Sequence, residues 1–135
     1  MIELYLSVSG HLADKVPELA CIDIQGADIT KTYPYAEIAI SKIPYTQLAQ
    51  GNALGELRFT VTVHLKPLRR SGHDSPELQR LREAFAVVNK IKDTLLITDP
   101  SMIHGAQLVA EDMQKQKDLY KVSLEYVARV ERITQ

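Results

Sequence analysis

The chain holds a single cysteine, Cys21, and no tryptophan, and aromatic residues make up only 6% of it. One cysteine excludes an intrachain disulfide and any structural zinc site built on several thiolates. Cys21 itself reads as a small buried hydrophobe. No apolar run approaches the roughly 20 residues of a membrane helix. The start, Met1-Ile2-Glu3-Leu4, lacks the positive flank of a secretory signal. The expected folding site is intracellular and reducing, with no membrane contact. Charge of one sign is also missing: sixteen Lys+Arg face seventeen Asp+Glu, a formal −1. That disfavours a protein coating nucleic acid by bulk charge, and an acidic disordered tail. What remains is 135 residues, 45% hydrophobic and 24% charged, the composition of one globular domain spanning 1–135.

Residues 76–96 carry Leu78, Leu81, Phe85, Val88, Ile91 and Leu95 at spacings of three or four, the stripe of one long helix. Ser75 suits its N-cap and Pro76 its first position. Asp99-Pro100 stops it. Leu57, Phe59, Val61, Val63 and Leu65 alternate with polar residues, as do Tyr120, Val122, Leu124, Tyr126, Ala128 and Val130. Period two with β-branched and aromatic residues predicts strands with one buried face. Shorter strands are expected at 35–41 and 105–113, the second joined to the last strand by a polar hairpin link. Residues 2–14 fit a helix with Ile2, Tyr5, Leu6, Ser9, Leu12 and Ala13 on one side. They also fit a strand with Ile2, Leu4, Leu6 and Val8 on one side. The expected fold is α+β: a mostly antiparallel sheet of about four strands, with helix 76–96 and an N-terminal helix packed on it. An aspartate at Phe85 is then expected to strand a charge in the seam and cost several kcal/mol.

Two stretches read as long loops: 42–56, with Pro44, Gly51, Asn52 and Gly55, and 67–74. Loops of this length are functional or mobile, or simply a hairpin tip. Charge is segregated locally. Residues 1–56 hold three basic and seven acidic side chains, while 57–73 hold Arg58, Lys66, Arg69 and Arg70 and no acid. The two parts can fold onto each other, meet between subunits arranged head to tail, or be plain solvated surface. Tyr33, Tyr35 and Tyr45 flank the 35–41 strand, as interface residues or as caps on the sheet edge.

Chemistry is poorly signalled. His11, His64, His73 and His104 show no helical metal spacing, and His73-Asp74 are adjacent on a loop. No G-x-S-x-G surrounds a serine. Gly51-Asn52-Ala53-Leu54-Gly55 lacks the lysine of a phosphate loop. The outward residues of the 57–66 strand are threonines and basic residues without stacked aromatics, so base reading is not expected. A non-specific contact of a basic loop with DNA phosphates stays open. No enzyme, cofactor or metal is expected. The plainer alternative is an intracellular α+β interaction or regulatory module without catalysis.

The segment Tyr33-Pro34-Tyr35-Ala36-Glu37-Ile38-Ala39-Ile40, the strand Arg58 to Leu65, the helix from Ser75-Pro76 to Leu96 and the closing strand Leu119 to Val130 together give a layout. It resembles the tail terminator, or tail completion (minor tail protein U-like), proteins of tailed bacteriophages and prophages. The resemblance implies a small α+β subunit of the virion tail, assembled in the bacterial cytoplasm. It implies a homo-oligomeric ring, usually of six, that caps the tail tube and presents a surface to head-connector proteins, with no active site. On that resemblance the 42–56 stretch, with Tyr45 and Leu48, becomes a candidate subunit or tube contact. Arg69 and Arg70 become a candidate contact at the rim or lumen.

Overall fold

The computed structural model describes residues 1–25, 32–49, 52–65, 77–116 and 119–133. In chain order the elements are α1 (Ile2–Lys15), β1 (Cys21–Ile24), β2 (Tyr35–Ile40), β3 (Tyr45–Ala49), β4 (Asn52–His64), α2 (Glu77–Ala84), α3 (Ala86–Ile97), β5 (Ile103–Gln116) and β6 (Leu119–Ile133). The strands form one six-stranded sheet in the order β1-β2-β4-β6-β5, with β3 also paired to β4. The β1–β2 pair is parallel and the others are antiparallel.

The fold remains α+β, but the expectation of about four strands and one long helix is corrected. β1 is four residues long, too short to show a period, and β3 lies in the stretch read as a loop. Span 76–96 is two helices parted at Phe85, whose ψ of −6° departs from helical backbone. The bonds from Phe85 N–H to Leu81 O and from Asn89 N–H to Phe85 O carry the chain through the break. The stripe divides with it. Val87, Val88, Ile91 and Leu95 of α3 are buried, whereas Leu78 on α2 is 73% exposed and Phe85 only half-buried. Ser75 and Pro76 lie outside the described residues.

Of the two readings of the N-terminus, the helical one holds, on a different face. Leu4, Val8 and Leu12 recur every fourth residue and are buried, while Ile2 and Leu6 face out. Tyr5 pins α1 to the sheet: its hydroxyl donates to Ile40 O and accepts from Ile40 N–H at 3.0 Å.

Strand β4 is the spine. One edge pairs with β6 from Asn52↔Ile133 to His64↔Lys121. Its other edge is shared, with β3 at residues 52–55 and β2 at residues 59–64. The alternations in β4 and β6 point Leu57, Phe59, Val61, Val63, Val122, Leu124 and Tyr126 into one core with α1 and α3. Thr60, Thr62, Ser123 and Glu125 lie on the opposite face of these strands and are half-buried. Cys21 is half-buried on β1, more open than the sequence suggested.

Candidate assembly surfaces

The β3–β4 hairpin replaces the loop read at 42–56. Pro44, Gly51, Asn52 and Gly55 are breaker residues, which is why the strand was hidden. Gly55 sits in a strand interior for a steric reason. A Cβ there would stand 2.7 Å from Tyr45 Cε1 and 2.9 Å from Val130 Cγ2. The missing side chain is the seat of the Tyr45 ring. Tyr45 and Leu48 both remain exposed on β3. Arg69 and Arg70, with His73, Asp74 and the rest of the 67–74 loop, lie outside the described residues.

At the other end of β4, roughly 30 Å away by strand rise, a polar and aromatic cluster occupies the opposite sheet face. His64 stacks on Tyr35 at 4.2 Å between centroids and 9° between planes, and Tyr33 leans on Tyr35 at 5.4 Å. His64 Nε2 meets a Glu37 carboxylate oxygen. Burial, with Tyr33 and Glu37 nearby, raises the Tyr35 phenol above its ordinary pKa. Of the three tyrosines read together, the structure joins Tyr33 and Tyr35 and sets Tyr45 at the far end. Lys115 and Lys121, with Gln114 and Gln116, line the adjoining 590 Å³ hollow.

The histidines do not converge. His11 Nε2 lies 3.1 Å from Thr98 O, joining α1 to the end of α3. His64 is on β4, and His104 is exposed on β5 opposite Arg129. Among the described residues no three His, Cys, Asp or Glu side chains gather as a metal-ligand set. No described helix is long and apolar enough to cross a membrane.

The third surface was not singled out from sequence. Strand β5 forms the sheet edge beyond β6. Every residue from His104 to Gln116 except Ala106 is exposed, on both faces of the strand. The Asp99 carboxylate starts the strand by accepting from the N–H groups of Gly105 and Ala106 at 3.1 and 3.2 Å. Between β5 and the two helices α2 and α3 runs a furrow. One part, of 510 Å³, is lined by Leu78, Leu81, Phe85, Met113 and Val122, and another, of 500 Å³, by Leu96, Leu108, Val109 and Ala110. An ion pair between Lys92 and Glu111 borders both parts. The sequence signal was present: Gln107, Glu111, Asp112, Gln114, Lys115 and Gln116 put polar groups at both parities, as a strand with no buried face does.

No protein-family model matches the chain, and no curated protein matches it. Among solved structures, the chain is similar to one in the virion of a native gene transfer agent particle. The TM-score is 0.64 and the identity 16%, over 95% of this chain and 94% of that one. The two share a fold over nearly their whole lengths.

Proposed function

We propose that this chain is a structural subunit of a phage-like particle and works as a tail terminator. In this reading it joins copies of itself head to tail into a ring, caps the tail tube and offers a surface to head-connector proteins. Its place is the virion tail, and it makes and breaks no bond. The observation that carries the reading is the fold shared, end to end, with a chain of a gene transfer agent virion. Two features lend support. The acidic side chains of residues 1–56 and the basic ones of 57–73 suit a heterologous contact, which closes into a ring when the rotation allows. The β3 hairpin also presents Tyr45 and Leu48 outward, an apolar pair suited to burial against a neighbour.

The test is light scattering and negative-stain microscopy of the purified chain, alone and mixed with tail tubes lacking a cap. Rings, or caps at tube ends, are expected. A chain that forms no ring at any concentration and leaves tube ends bare overturns the reading.

A further inference from the structure

Strand β5 is 14 residues long, and no strand among the described residues pairs with its outer edge. Such an edge is a template for another strand, and proteins blunt it with bulges, prolines or charges. Here the blunting is confined to one half. Register shifts fall between His104 and Gln107 and between Leu108 and Ala110, and from Ala110 to Gln116 the ladder with β6 is regular. That regular half has no proline, and its charges follow a self-complementary order, Ala-Glu-Asp-Met-Gln-Lys-Gln.

We propose that residues 110–116 of β5 pair antiparallel with the same segment of a second copy, about a twofold axis at Met113. In this register Glu111 stands opposite Lys115 of the second copy, twice, and Asp112 stands opposite Gln114. Directly opposed unlike charges favour a strand pair and like charges oppose it. A slip of two residues toward Ala110 sets Asp112 against Asp112, which disfavours that register. Glu111, Met113 and Lys115 oppose Leu124, Val122 and Tyr120 on β6, so all three project on the side of the furrow. Lys115 lies over the Tyr120 ring, 5.4 Å from its centroid. Glu111 already holds Lys92 and gains a second cation. Met113, 49% exposed in the single chain, meets its own copy and covers the hollow beside Phe85. A contact that uses one patch on both copies closes at two, and the bulges at its N-terminal end keep the pairing to this half. This contact is separate from the head-to-tail ring and does not rest on it.

The test uses two charge reversals of the full chain, E111K and K115E. Each alone sets like charges opposite each other twice. Mixed, they restore two unlike pairs, because the lysines of one copy face the glutamates of the other. Sedimentation is expected to give a dimeric wild type, a mass halved for each variant, and dimer mass recovered on mixing. In a Cys21→Ser background, Met113→Cys is expected to link to itself on oxidation, a readout that leaves the charge pairs untouched. A monomeric wild type, variants that keep the wild-type mass, a mixture of folded variants that does not recover it, or no Met113→Cys cross-link overturns the pairing. Rings formed by variants that keep the wild-type mass overturn the β5 contact and leave the ring reading standing. Recovered dimers with bare tube ends do the reverse.

Discussion

Phe59 and Tyr126 lie directly opposite each other in the β4–β6 ladder, with ring centroids 5.2 Å apart and planes 12° from parallel. Both are among the largest fully buried side chains. The stack places an aromatic pair in the middle of the core, where such contacts add about 0.5–1.5 kcal/mol beyond area burial.

The Tyr126 hydroxyl has no hydrogen-bond partner among the described residues. A buried unsatisfied hydroxyl costs about 1–3 kcal/mol. Tyr126→Phe is therefore expected to keep the stack and raise the melting temperature by about 4–10 °C, measured by circular dichroism. Burial, and then the charge of Glu111, push this phenol up to about 12 from 10. A raised folded-state pKa favours the folded chain below the unfolded value. That advantage is lost as pH rises from 10 towards 12. Wild type should lose stability across this window more steeply than Tyr126→Phe.

Gly55→Ala is expected to push against Tyr45 and Val130 and cost about 1–3 kcal/mol, the usual penalty of overpacking. Combining it with Tyr45→Ala should recover part of the loss, because the two sites share the same space. Denaturant melts of the two single variants and the double variant check the coupling.

The two ends of the 76–96 stripe should respond differently. Ile91→Ala empties a fully buried site and is expected to cost about 2–5 kcal/mol. Leu78→Ser, on an exposed side chain, is expected within about 0.5 kcal/mol of wild type. Phe85→Asp should fall between them, because the ring is half-buried at the furrow and its replacement keeps access to water. Chemical denaturation of the three variants ranks them.

On the proposed ring, Arg69 and Arg70 together changed to Glu, or Leu48 changed to Asp, should leave the melting temperature close to wild type and impair ring formation or tube capping. Electron microscopy reads the ring and calorimetry the fold. Normal capping by a variant removes its residues from the proposal.

How much of this was legible in the sequence depended on how many periods each element showed. β4 and β6 run for 13 and 15 residues and bury one side, so Leu57 to Leu65 and Tyr120 to Val130 announced their inward faces correctly. Cys21–Ile24 spans four residues, and its pairing with β2 joins segments that local sequence does not relate. Tyr45–Ala49 was hidden by breaker residues, and the role of one of them, Gly55, is to seat the Tyr45 ring, which is a tertiary fact. The stripe through Leu78 and Leu81 gave helical turns but neither the break at Phe85 nor their cover, because periodicity reports which side is apolar and not whether a partner lies there. The furrow was illegible for the same reason, although polar groups at both parities of β5 marked that strand as one with no buried face.

The division of a single edge of β4 between two partners has a mechanical sense. Residues 52–55, which pair with β3 and seat the Tyr45 ring, and residues 59–64, which pair with β2, are parts of the same unbroken run of 13 residues. With no joint between them, a neighbour that seats the first stretch sets the tilt of the second as well. Orientation imposed at either extremity is inherited by the whole body.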